Sequence, residues 1–206
     1  MAVVNGYCTV PELREHFADS STNLTTALLE RAINATSRAI DRFCGRRFWL
    51  DAEDALTTRE YRPDDPYEAD VADISTTTGL VIKTDTTGDH SWATTWTSDQ
   101  YQLEPLNADV DGGAFAWWTV TAVEDELFPI HPRRTTLQVT ARHGWSAVPD
   151  GVTEACILRA AAIFKRKEAV FGIAGLNGFG EVRISRRDPD VMDLLHPYVK
   201  IRVGAV

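Results

Sequence analysis

Leu28-Leu-Glu-Arg-Ala-Ile-Asn-Ala-Thr-Ser-Arg-Ala-Ile-Asp-Arg-Phe-Cys-Gly-Arg-Arg-Phe48 begins in one periodicity and ends where that periodicity stops. Leu29, Ile33, Thr36, Ile40 and Phe43 recur at intervals of four, three, four and three, with Leu28, Ala32, Ala35 and Ala39 as a neighbouring row. Glu30, Arg31, Asn34, Ser37, Arg38 and Asp41 take the opposite side, so the spacing predicts a helix over 24–44, capped by Asn23 and stopped by Gly45. An apolar arc this broad serves more than one neighbour. Its alanine row admits a second helix at close range, from the same fold or from another subunit.

Beyond Arg46-Arg47-Phe48-Trp49 the pattern turns strand-like. Thr57 to Arg62, Gly79 to Thr84, Ala93 to Ser98, Tyr101 to Glu104, Phe115 to Ala122 and Thr135 to His143 are rich in threonine, valine and aromatics. Clusters such as Thr87-Gly88-Asp89 and Asp111-Gly112-Gly113 separate them. Leu137, Val139 and Ala141 alternate with Gln138, Thr140 and Arg142, which predicts a small antiparallel sheet, sandwich or barrel. Pro63-Asp64-Asp65-Pro66 and the acid-rich run to Asp73 read as a solvated loop.

Helical signals frame this region. Thr9-Val10-Pro11-Glu12 is a capping box opening a short helix over about 10–17. Asp150 or Pro149 opens a helix over about 150–171, with Val152, Ala155, Cys156, Ala160, Ile163, Phe164 and Val170 as its inner stripe. The glycine-rich Gly172 to Gly180 reads as a flexible connector leading to a short extended piece, Glu181 to Ser185. Asp188-Pro189-Asp190 starts a last helix over about 189–202. The expected class is α+β: a small helical bundle, built from 1–49 and 148–206, with an acidic antiparallel β-rich insertion over 50–147.

The chain has 206 residues, 44% hydrophobic and 25% charged, which suits a globular protein and excludes global disorder. Its longest uncharged runs, Gly112 to Val123 and Ala169 to Gly180, are 12 residues each, too short for the roughly 20 of a membrane span. The first residues lack the basic and long apolar stretches of a secretion signal, so synthesis and use without export is expected. Net charge is −9, unevenly spread. Residues 1–50 carry 6 basic and 5 acidic groups, residues 51–130 carry 3 and 18, and residues 131–206 carry 12 and 7. The acidity therefore belongs to the middle of the chain, and a sequence-independent nucleic-acid binder is disfavoured.

Catalytic and metal chemistry find little support. Cys8, Cys44 and Cys156 are too few and too far apart for a disulfide framework or a zinc site, and Cys44 and Cys156 fall in apolar stripes as buried thiols. The five histidines show no metal spacing, no Gly-x-Ser-x-Gly occurs, and the glycine loop follows a helix and lacks a Gly-Lys-Ser/Thr ending. Asp64/Asp65 and Glu124/Asp125/Glu126 read as solvated surface. Trp92, Trp96, Trp117 and Trp118 suit core and subunit interface better than stacking platforms, with adjacent Trp117 and Trp118 facing opposite sides of a strand. The basic groups Lys165, Arg166, Lys167, Arg186 and Arg187 are the candidate subunit or partner interface. No cofactor is expected.

Tyr7-Cys-Thr-Val-Pro-Glu-Leu-Arg-Glu-His-Phe17, the stretch Leu28 to Phe48 quoted above, and Val148-Pro-Asp-Gly-Val-Thr-Glu-Ala-Cys-Ile-Leu-Arg-Ala-Ala-Ala-Ile-Phe-Lys-Arg-Lys-Glu168 together resemble, in matching order, the head-tail connector (adaptor) proteins of long-tailed bacteriophages. The resemblance covers about half the chain. It implies a virion structural protein without catalytic activity, made in the host cytoplasm and placed in the neck. It further implies a ring, usually of twelve copies, that sits beneath the portal protein. Genomic DNA passes through that ring, and a tail-side connector or tail terminator docks onto it. Compact members of the family are nearly all helical, so the insertion over 50–147 is a departure. Two other readings stand beside this one: a tail-side connector ring, and a cytosolic ligand-binding module using the tryptophan-rich β-region.

Overall fold

The computed structural model describes residues 2–17, 24–51, 55–108, 115–123, 125–168, 173–175, 181–183 and 188–200, with 165–168, 173–175 and 181–183 described by their backbone alone. The fold is α+β, with four α-helices and antiparallel sheets among the described residues. Its contacts divide the chain into two compact units, Met1–Arg47 with Val148–Val206, and Phe48–Ala147.

The first unit is helical. Helix α1 (Val10–His16) opens on the capping box: the Glu12 amide donates to Thr9 Oγ1 at 3.4 Å, and the Thr9 amide donates to Glu12 Oε2 at 2.7 Å. Helix α2 (Thr26–Cys44) starts at Thr25, two residues inside the expected cap; Asn23 lies outside the described residues. Gly45 ends it in the left-handed region, φ 67°, and the carbonyl of Cys44 accepts the Lys200 amide at 2.8 Å. Helix α3 (Asp150–Glu168) packs against α1, α2 and α4 (Pro189–Leu195). The last helix is shorter than expected. A 3-10 turn, His196–Tyr198, takes over at Leu195 because Pro197 supplies no amide for the α-helical ladder.

The second unit holds seven strands in two sheets. Strands β1 (Thr57–Tyr61), β7 (Leu137–Ala141), β3 (Val81–Thr84) and β4 (Thr94–Trp96) form one in that order; β2 (Glu68–Ile74), β6 (Trp117–Ala122) and β5 (Tyr101–Glu104) form the other. Ala69, Val71 and Ile74 of β2 and Val120 of β6 share one core with Ile82 of β3 and Leu137, Val139 and Ala141 of β7. Two sheets over a common core make a sandwich.

Strand β2 corrects the loop expected through Asp73. Glu68 and Asp70 point to solvent while Ala69 and Val71 are buried, so the acids occupy alternate positions of an edge strand. A register shift between Asp70 and Ile74 then turns Asp73 inward, where its Oδ2 accepts the indole N–H of Trp145 at 2.8 Å.

The incoming and outgoing ends of this unit run side by side. The Asp51 amide donates to the His143 carbonyl at 3.0 Å, and the rings of Phe48 and Trp145 meet edge to face at 5.0 Å. Gly144 makes this approach possible. Its φ is 114°, and a Cβ there would lie 2.0 Å from the Trp49 carbonyl oxygen.

Candidate functional site

Helix α2 presents its faces differently from the expected division. Leu29, Ala32, Ile33, Thr36 and Ile40 are buried as the spacing required, but so is Ser37 from the nominally polar side. The N-terminal segment explains this. Residues 2–8 run along that side and are tied down by it: the Val4 amide donates to Asn34 Oδ1 (3.0 Å), Asn34 Nδ2 to the Ala2 carbonyl (3.1 Å), Arg38 to the Asn5 carbonyl (2.8 Å), and the Tyr7 amide to Ser37 Oγ (3.0 Å). The Tyr7 hydroxyl bonds Asp41, which also pairs with Arg38 at 2.7 Å. Sequence spacing alone marks Asn34, Ser37, Arg38 and Asp41 as solvated, because it cannot see an irregular segment arriving from about 30 residues away.

The converse correction concerns the apolar arc. Phe43, assigned to the buried stripe, is 36% exposed; Ala35 is exposed and Ala39 only partly covered. Ala35, Ala39 and Phe43 are four apart and thus form one open row along α2. On α3, Val152, Ala155, Cys156, Ala160 and Phe164 are buried, but Ile163 is 39% exposed, and Val170 lies outside the described residues. An open row of alanines ending in a phenylalanine is a surface another helix can approach closely.

The basic candidates fall at the far end of α3 and beyond. Lys165, Arg166 and Lys167 lie on its last turns, with side chains outside the described residues, and Arg186 and Arg187 lie outside them altogether. Between the two groups the chain does not simply connect. Strands β8 (Ile173–Gly175) and β9 (Glu181–Arg183) pair antiparallel, Ile173 opposite Arg183 and Gly175 opposite Glu181. Three residues of the glycine-rich stretch, 173–175, thus pair as a strand with three of the expected extended piece, 181–183; the rest of both lies outside the described residues.

In the β-rich unit the aromatic residues are mostly core. Trp96 is buried, stacks on Phe128 at 4.7 Å and donates its indole N–H to Thr84 Oγ1 at 3.1 Å. Trp117 is buried and Trp118 partly exposed, on opposite faces as alternation demands. Trp92 meets His90 edge to face in the β3–β4 loop, which is organised by Asp85. The Asp85 carboxylate accepts the amides of Thr87 (3.1 Å), Gly88 (2.8 Å) and His90 (2.6 Å) and the Thr87 hydroxyl (3.0 Å). Burial works to raise its pKa, but these donors outweigh that and hold it below the usual carboxylate range. His143 is buried beside Arg59, and both desolvation and that charge lower its pKa, keeping the imidazole neutral. Among the described residues no cluster of histidine, cysteine, aspartate or glutamate has the arrangement of a metal site, and no helix is long and apolar enough to cross a membrane.

A helical unit built from both ends of the chain and a β-sandwich built from its middle define the class of fold. No protein-family model and no curated protein matches the chain. Among solved structures, this fold is shared, over 100% of the chain and 96% of the other, with a chain described as the neck of an empty GTA particle computed with C6 symmetry, at TM-score 0.56 and 18% identity. A chain from the neck of the native GTA particle, computed with C12 symmetry, matches over the same shares at TM-score 0.54 and 19% identity. A third, from the virion of a native gene transfer agent particle, matches at 0.51 and 21%.

Proposed function

We propose that this chain is a structural protein of the neck of a phage or phage-like particle: a head-to-tail connector that assembles as a ring, of twelve copies, beneath the portal. The similarity of fold along the whole chain to a neck protein, in particles treated with C6 and C12 symmetry, carries this reading. The open Ala35–Ala39–Phe43 row of α2 supports it, since a repeated head-to-tail contact closes into a ring when its rotation permits. The role is non-enzymatic and uses no cofactor. The protein is made in the host cytoplasm and located in the virion.

Genomic DNA transits the channel without specific binding, and a tail-side connector or tail terminator docks below. Part of the segment carrying 18 acidic and 3 basic groups, residues 51–130, lines that channel or faces outward, where like charge removes the counterion-release attraction for DNA. The basic groups Lys165, Arg166, Lys167, Arg186 and Arg187 dock on the portal. Mixing the purified protein with a portal ring and imaging the product by electron cryomicroscopy tests this. A twelve-fold ring on the portal is expected, and absence of the chain from purified virions would refute it. A ring that instead binds only the tail-side layer identifies a tail-side connector. The ligand-binding alternative would have to rest on Trp92 and Trp118, since Trp96 and Trp117 belong to the core.

A further inference from the structure

The buried sulfurs of Cys8 and Cys156 lie 3.5 Å apart although 148 positions separate them in the chain. Cys8 ends the segment tied along α2, and Cys156 faces it from α3. Both are inside the helical unit, at 5% and 0% exposure. The contact belongs to an ordered chain of donors: Cys8 S–H toward Cys156 Sγ, Cys156 within 3.6 Å of Ser37 Oγ, and Ser37 donating to the Ile33 carbonyl at 2.8 Å. Cys44, the third thiol, is buried apart from them.

We propose that Cys8 and Cys156 are an oxidisable pair, closed to an intramolecular disulfide by a small peroxide once the protein leaves the reducing cytosol. Closing from 3.5 Å to the ~2.05 Å of a disulfide takes a shift of about 1.5 Å, within reach of side-chain rotation. Cys156 is the nucleophile. The S–H of Cys8, directed at its sulfur, stabilises the Cys156 thiolate and lowers its pKa against the cost of burial, whereas Cys8, as the donor, is raised. The Cys156 thiolate attacks one oxygen of hydrogen peroxide and the O–O bond breaks. This leaves Cys156 as the sulfenic acid and releases hydroxide, which takes up a proton to become water. The Cys8 sulfur then attacks the Cys156 sulfur, forms the S–S bond and expels a second water. Two thiols are oxidised and one peroxide is reduced to two waters. The product staples the N-terminal segment to α3 across the whole intervening chain. The departure from the cytosol rests on the proposed virion location, whereas the approach of the two thiols does not.

Treating the folded full-length protein with hydrogen peroxide, followed by non-reducing peptide mapping, tests it. Expected are the loss of two hydrogen masses, a single cross-link joining the Cys8 and Cys156 peptides, Cys44 left as thiol, and reversal by dithiothreitol. The oxidised protein should melt roughly 5–15 °C higher. Cys44→Ser should react as wild type, and Cys8→Ser should stop at a sulfenic acid on Cys156, trapped by dimedone. Cross-linking through Cys44, or reaction only under conditions that unfold the protein by circular dichroism, would overturn the proposal.

Discussion

Gly144 and His143, neighbours at the base of the β-rich unit, each carry a measurable consequence. A methyl group on Gly144 would overlap the Trp49 carbonyl oxygen at 2.0 Å in a backbone conformation that L-residues avoid. Gly144→Ala should therefore destabilise that unit by about 2–4 kcal/mol, read as a lower denaturation midpoint in tryptophan fluorescence. His143 is neutral in the fold with its pKa lowered from 6.5, so the unfolded chain takes up a proton that the folded one refuses. Its contribution is absent well above pH 6.5 and becomes destabilising as pH falls through 6.5 toward the lowered native value. Thermal melts across pH 5–7.5 should show this slope in the wild type and a flatter one in His143→Gln; equal slopes would contradict it. At this scale the sequence was legible where chemistry is local. Thr9 and Glu12 announce their box by spacing alone, but Ser37 and Asp73 look like surface residues and are buried by partners that no local pattern reveals, the Tyr7 amide and the Trp145 indole.

Among the elements, helices with strong caps and strands with clean alternation were readable, and β2 was not. Its acids are spaced two apart, so one face is apolar and the other charged, but five acidic groups between Asp64 and Asp73 outweigh two buried side chains in any average over the stretch. The shift before Ile74 then breaks the alternation that would have disclosed the strand. For α1, Thr9→Ala removes the side-chain half of the box and should cost about 1 kcal/mol, measured by urea denaturation. For α2, the open row and the covered polar side make opposite predictions. Ala35→Glu touches only the exposed face and should leave stability within about 0.5 kcal/mol while abolishing the ring assembly proposed above. Assembly at wild-type level in that variant would place the subunit contact elsewhere. The pairing of β8 with β9 was hidden by the glycine-rich composition, which reads as a connector because composition does not report pairing.

At the scale of the whole molecule the chain leaves its helices at Arg47, builds a sandwich, and returns at Val148. The charge boundaries near residues 50 and 130 follow this division only approximately, since Arg133, Arg134 and Arg142 belong to the acidic unit and offset part of its charge. Because Asp51 and His143 are hydrogen-bonded neighbours, the excursion begins and ends at nearly one point. Replacing residues 49–146 with a short glycine-serine linker should therefore leave the helical unit folded, with the far-ultraviolet helical signal retained; its collapse would mean that the helices depend on the sandwich. The same adjacency bears on how such proteins change over generations. A recombination event with breakpoints just inside the two ends exchanges the sandwich as a cassette, without disturbing the register in which α2 and α3 pack. Lineages can then acquire, trade or discard the sandwich while the part that holds the helices together is inherited intact.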